Sequence, residues 1–310
     1  MPCLIVNADD FGYTAGVNQS IVELHAAGRL TSTTLMATGA ALQDALAHLN
    51  TYPVAVESRS RLGVGCHVVL VDGIAASPRP EIRSLVGRAP QPGQGREMRP
   101  AEGARFRPTL GGFVVDLLRG RIEEVEIERE AVAQIRRLQA SGILVTHLDT
   151  HKHTHMFPRV LRPLLRAALE CGVGAIRNPF EPAWSVRATG QAPLVRQAEV
   201  RLVALLRPRF ARLVAEAGLR TTAGAIGVLA TGTLDGPTLE QLLSAALREA
   251  GGGGSELTWE LVCHPGYHDA ALAAQPTRLL AARETERTAL LGAGGSLLGR
   301  FRLIHFGELS

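Results

Sequence analysis

Short apolar runs rich in β-branched residues recur along the chain: Cys3–Asn7, Thr31–Ala37, Leu62–Leu70, Ile143–Asp149, Gly174–Asn178, Ala225–Ala230, Leu257–His264 and Arg302–Phe306. Each fits a strand buried in a parallel sheet. Between them the apolar spacing changes to three and four residues. That spacing predicts helices over Val17–Gly28, Ala40–Leu49, Ile122–Ser141, Pro158–Gly172, Thr238–Ala250 and Pro276–Leu291. Strands alternating with helices predict an α/β fold with a parallel sheet. Seven or eight such units over 310 residues fit one (β/α) barrel-like domain spanning 1–310, closed or incomplete, better than a small open sheet. In either architecture chemistry gathers at the carboxyl ends of the strands.

Two segments break the alternation. Pro78–Pro108 is rich in Pro, Gly and Arg with weak apolar periodicity, and reads as a long excursion or lid. Gly251–Gly254 reads as a four-glycine linker ahead of the next strand. No internal repeat is visible.

Composition narrows the class. A chain 46% hydrophobic and 20% charged buries a real core and is too apolar for disorder. The net charge of +4 is small and aromatic residues make up only 4%, so a nucleic-acid partner is not expected. Of the 33 basic side chains only Lys152 is a lysine. Four widely spaced cysteines without a CxxC pair, and no signal-peptide-like apolar stretch, predict a reduced, cytoplasmic protein. No apolar run is long enough to span a bilayer.

The candidate chemistry lies at strand ends. The first strand closes on Asn7-Ala8-Asp9-Asp10-Phe11-Gly12. Two adjacent carboxylates after an apolar strand either share a cation or cap the following helix, and the motif alone does not separate the two. His67 stands inside the apolar run Leu62–Leu70, where a lone histidine is more often a core residue than a ligand. Its natural partner is Thr146-His147-Leu148-Asp149-Thr150-His151-Lys152-His153-Thr154-His155. On an extended chain the odd-numbered residues of this stretch share one face. Neutral imidazoles at that density read as metal ligands rather than as an incidental polar loop. Glu260–Tyr267 runs another strand into His264 and a Pro-Gly turn, a place for a general acid or base, or for a histidine that caps the turn. Cys66 and Cys263 each precede a candidate histidine, so alternation turns them into the wall as small core residues. The absence of GxSxG, P-loop and GxGxxG motifs removes serine hydrolases and nucleotide-binding enzymes as first choices.

The ordered set NADDFG, GVGCHVVL, THLDTHKHTHMFP and CHPGYHD resembles the YdjC-like carbohydrate deacetylases over Cys3 to about Leu291, with general likeness to the hopanoid biosynthesis-associated branch. That branch acts on N-acetylglucosaminyl bacteriohopanetetrol. The resemblance implies a barrel-like fold and one divalent cation held by Asp10, His67 and His151. It also implies Asp9 as general base and His264 as general acid. By the same resemblance His153 and His155 lie behind the ligands or against the substrate, and Asp149 is placed to fix a histidine tautomer. The family likeness implies Mg²⁺, whereas two imidazoles and a carboxylate suit Zn²⁺, Co²⁺ or Mn²⁺ at least as well.

The implied reaction is hydrolysis of the acetyl amide of an amino sugar, either lipid-linked to a hopanoid or part of a chitin-type oligosaccharide. A metal-dependent phosphoesterase is a competing reading, for which strand ends offer few further carboxylates apart from Asp149 to bridge a second ion. A non-catalytic sugar- or lipid-binding protein is a third, against which the Asp9, Asp10 and His264 set argues. The resemblance is weakest in Pro78–Pro108 and Leu194–Ala223, which read as variable insertions. Within the second, Leu194–Val214 alternates arginines with apolar residues at helical spacing, interrupted by Pro208. Such a helix either lies in a membrane interface or packs its stripe on the core with its arginines in water. The expected partner is therefore an acetylated amino sugar, with peripheral contact at the inner membrane surface and a homodimer both compatible.

Overall fold

In the computed structural model the first apolar run forms β1 (Cys3–Phe11), buried from Leu4 onward. The structure describes residues 1–51, 62–86, 103–189, 194–254, 257–292 and 297–310. β1 is the centre of a parallel sheet, which is why it carries apolar residues on both faces. β6 (Thr258–Cys263) runs along one edge from Cys3 to Ala8. The other edge is shared by β7 (Arg302–Leu303), opposite Cys3 and Leu4, and β2 (Ser32–Leu35), opposite Asn7 to Phe11. The sheet continues through β3 (Gly63–Val68) to β4 (Val145–Thr150) on one side and to β5 (Ala225–Ile226) on the other, every pair parallel. It curls into an incomplete barrel.

The connections are helical: α1 (Ala15–Ala26), α2 (Leu42–Thr51), α3 (Leu110–Leu118), α4 (Glu124–Ala140), α5 (Pro158–Glu170) and α6 (Ala183–Ala188), then α7 (Leu194–Val203), α8 (Arg207–Glu216), α9 (Gly236–Glu249), α10 (Ala270–Ala273) and α11 (Leu280–Leu291). Their ends follow local chemistry. Thr14 Oγ1 accepts from the Val17 N–H at 3.2 Å and caps α1. That cap answers one question the sequence left open, since Asp9 and Asp10 are not spent on it. Pro158 and Pro208 sit in the first turns of α5 and α8, where the missing N–H costs nothing. Pro208 thereby splits the predicted Leu194–Val214 helix into two.

Several elements differ from the pattern-based expectation. The Gly174–Asn178 run joins the sheet only through the bridges Leu148 to Ile176 and Ala175 to Arg220. The Ala225–Ala230 strand stops after Ile226 because Gly227 turns left-handed, at φ 85°. Arg302–Phe306 pairs over two residues before a 3₁₀ turn begins at Phe306. The four glycines are no extended linker: Ala250–Gly254 forms one π-helical turn on the end of α9. The Pro78–Pro108 excursion is anchored at its ends by antiparallel bridges, Ile74 to Arg105 and Val86 to Phe106, with Ile82, Leu85 and Phe106 buried. Its middle, residues 87–102, and with it the lid reading, lies outside the described residues. No helix among the described residues is long and apolar enough to cross a membrane.

Candidate functional site

The parallel register collects the predicted residues at one end of the sheet. His67 on β3 lies opposite Asp149 on β4, and Ala8, just before the two aspartates, lies opposite Cys263, just before His264. Simple alternation would send Asp9 and Asp10 to opposite faces. A register shift in β1 between Ala8 and Phe11, with Asp10 left-handed at φ 67°, breaks the alternation and lets both carboxylates reach His67.

The expectation that the odd-numbered residues from His147 to His155 share one face fails after Thr150. There the chain turns into 3₁₀ geometry, with Lys152 and His153 left-handed at φ 59° and 52°. The turn is held by Thr150, whose Oγ1 accepts the His155 N–H at 3.0 Å and lies 2.7 Å from His155 Nδ1. His151, directly after the strand end, lies beside Asp10. His155 is buried against Phe210 of α8. Burial and the Arg177 charge push the His153 imidazole down to about 3, against the pull of Asp9. His147 stacks on Phe306 with ring centroids 3.8 Å apart, outside the cluster.

Three atoms converge. Asp10 Oδ1 is 3.4 Å from His67 Nε2 and 3.5 Å from His151 Nδ1, and the two nitrogens are 3.3 Å apart. A point about 2 Å from all three lies at the centre of that triangle, the usual spacing of a transition metal to imidazole or carboxylate ligands. Asp10 Oδ1 is buried and accepts no hydrogen bond among the described residues. Asp149 Oδ1 takes the far nitrogen of His67, Nδ1, at 2.7 Å, which fixes Nε2 as the one facing the centre. Thr34 Oγ1 donates to Asp149 Oδ2 at 3.3 Å and lies 3.2 Å from the same His67 nitrogen.

Charge makes the same case for a cation. Asp9, Asp10, Asp149, Glu260 and Glu286 are all nearly inaccessible to solvent, and the buried guanidiniums among them are Arg177 and Arg283. Arg177 holds Asp9 with two nitrogens and also meets Asp149 and Glu260. Arg283 donates to Asp10 Oδ2 at 2.5 Å. Burial by itself would raise both aspartates, but Arg177 for Asp9 and Arg283 for Asp10, helped by neighbouring histidines, hold them below the usual carboxylate range. The unbalanced charge shows elsewhere. Burial, only partly offset by Arg177, pushes Glu260 up to about 7. His67, which burial would depress, is instead pushed up to about 9 by Asp149, Asp9 and Asp10. The residues present therefore suit a divalent cation in both donor set and charge.

His264 closes the site on the far side of Asp9, its Nε2 3.7 Å from Asp9 Oδ2. Its backbone N–H donates to Glu286 of α11 at 2.5 Å. Cys66 and Cys263 are buried, and burial pushes both thiols up, as befits wall residues. Sequence reasoning passed over Arg177, Glu260, Arg283 and Glu286. Arg177 and Glu260 had a signal, each being a charge inside an apolar strand run. Arg283 and Glu286 had little, because α11 carries charges on several sides and only packing selects the inward ones.

Comparison with known proteins gives the family. Residues 3–294 match the family of YdjC-like proteins, and the chain belongs to that family. It is 38% identical over 177 residues to a carbohydrate deacetylase of Brevibacillus brevis, covering 57% of this chain and 59% of that one. It is 34% identical over 172 residues to a chitooligosaccharide deacetylase of Enterobacter sp. strain 638, covering 55% and 57%. A carbohydrate deacetylase of Mus musculus is 30% identical over 273 residues, 85% of this chain and 78% of that one. The matches thus span about three fifths of the length of these bacterial relatives. In fold, the chain superposes with a TM-score of 0.68 and 22% identity on the crystal structure of an Enterococcus faecalis V583 protein provisionally described as a cellobiose-phosphate cleavage protein, covering 98% and 97% of the two chains.

Proposed function

We propose that this protein is a metal-dependent hydrolase that removes the acetyl group from an N-acetylated amino sugar. The observation that carries the reading is the triangle of Asp10, His67 and His151 with Asp9 and His264 beside it. A cation held by those three residues supplies Lewis acidity toward an amide carbonyl and makes water a stronger acid. The donor set favours Zn²⁺, Co²⁺ or Mn²⁺ over the Mg²⁺ that the family resemblance implies.

The chain's own groups divide the proton work. Arg177 orients the Asp9 carboxylate and balances its charge, and Asp9 takes a proton from the attacking water. His264 stands on the other side of Asp9 and gives a proton to the amine nitrogen as the C–N bond breaks. Asp149 and Thr34 hold His67, and Arg283 holds Asp10 through the oxygen that faces away from the triangle. By the same reading His153 contacts the sugar, while His155 backs the turn between them and β4.

Two substrates fit this reading. The names of the relatives support an N-acetylglucosamine oligosaccharide. The motif likeness to the hopanoid-associated branch supports an N-acetylglucosaminyl hopanoid. The test is release of acetate, with a matching free amine by mass spectrometry, from chitooligosaccharides and from the hopanoid glycolipid, with each divalent metal added to chelator-treated protein. Acetate release that depends on metal supports the proposal, and its absence from every N-acetylated sugar overturns it. Accumulation of the N-acetylglucosaminyl species in cells lacking this chain would assign the hopanoid.

A further inference from the structure

The outer face of α7 is apolar and faces solvent. Its inner face is anchored: Val200 packs with Val186 and Leu229, and Arg196 Nη2 donates to the Val228 carbonyl at 3.5 Å. On the opposite side, spacings of three and four residues line up Val195, Ala198 and Leu202, and Leu205 of the following 3₁₀ turn, Ala204–Leu206, comes three residues later. Val195, Leu202 and Leu205 are 72%, 68% and 74% exposed. Scattered exposed leucines need no explanation, but a continuous stripe directly opposite a helix's buried face does.

The border of the stripe is cationic. Residues 194–216 hold five arginines against two glutamates. Arg201, Arg209 and Arg212 are exposed, and the glutamates are engaged, Glu199 with Arg196 at 3.8 Å and Glu216 with Arg212 at 3.7 Å. Val228 and Leu229 follow the carboxyl end of β5, so α7 stands at the same end of the sheet as the candidate site.

We infer that α7 and the start of α8 form an interfacial docking surface for a bilayer containing anionic phospholipid. Leu202 and Leu205 enter the headgroup boundary and the arginines meet lipid phosphates, the division of labour of a basic amphipathic helix lying in the membrane plane. Charge favours this occupant over a second copy of the chain, because a symmetric contact would bring the same arginine border against itself. The inference does not depend on the deacetylase reading, and its test uses no activity.

The full chain is sedimented with vesicles of phosphatidylcholine alone and with phosphatidylglycerol added. Binding is expected only to the anionic vesicles and should weaken as salt rises. L202E/L205E and, separately, R201E/R209E should each lower partitioning at least about tenfold, with circular dichroism and thermal unfolding unchanged because all four side chains are exposed. Equal partitioning of wild type and variants, or no partitioning of the wild type, overturns the inference. A solution dimer dispersed by L202E/L205E without vesicle binding also overturns it and gives the stripe to a second copy.

Discussion

Arg177 grips Asp9 with both terminal guanidinium nitrogens, at 2.6 and 2.8 Å. The same buried side chain reaches Asp149 and Glu260, so one cation organises three carboxylates contributed by β1, β4 and β6. It ties the group beside the proposed metal, Asp9, to the group that orients a ligand, Asp149.

Removing that cation leaves three carboxylates facing one another without compensation. R177M should destabilise the fold by about 3–5 kcal/mol, the usual cost of breaking a buried pair from one side. Urea unfolding of wild type and variant at one pH checks it. R177K should recover part of the loss, because an ammonium keeps the charge but not the fork.

The triangle predicts a shared fate for metal and activity. H67A and H151A should each lose the bound divalent ion, read by elemental analysis of dialysed protein, together with acetate release. Full activity in the metal-free H67A/H151A variant would remove the proposed mechanism. D149N keeps all three ligands but replaces a carboxylate that only accepts with an amide whose NH2 can face His67 Nδ1 and favour the wrong tautomer, and should weaken metal binding roughly 10- to 100-fold.

His264 lies outside the triangle, so H264A should bind metal as tightly as wild type. Its loss should appear in kcat, on the order of a hundred- to ten-thousandfold for a missing proton donor. A variant that lost metal as well would contradict the division of roles.

Glu260 makes a pH prediction. Burial raises its folded carboxyl from 4.5 to about 7, so between those values the folded state binds more protons than the unfolded state. Its contribution to stability is therefore greatest below pH 4.5 and lost as pH rises toward 7, by about 3 kcal/mol in all. E260Q cannot ionise and still offers Arg177 an oxygen. In chelator-treated protein its stability relative to wild type should climb between pH 4.5 and 7 and level off above. A pH-independent difference would mean that Glu260 is ionised throughout.

Much of this was legible in the chain itself. The apolar runs gave the strand-helix alternation because a parallel strand buried on both faces writes its whole length in apolar residues. Asp9, Asp10, Asp149, His151 and His264 stood out because a polar side chain ending an apolar strand is costly without a use, whereas His67, inside its strand, read alone as a core residue and became a ligand candidate through the motif resemblance. The helix broken at Pro208 could be read from one residue.

Other features depended on contacts distant in sequence. Asp9 and Asp10 meet on one side only because β1 shifts register, and the chain leaves the strand direction after His151 because Lys152 and His153 adopt left-handed backbone. Alternation along a strand carries no sign of either turn. Arg177, 168 residues from Asp9 along the chain, and Arg283, 273 from Asp10, are paired by packing. An arginine's partner is a matter of where the sheet curls and which way α11 rolls. The sequence determined which chemistry was available and at which strand ends, and tertiary structure decided which atoms share a centre, because burying that many charges is tolerable in only one mutual arrangement.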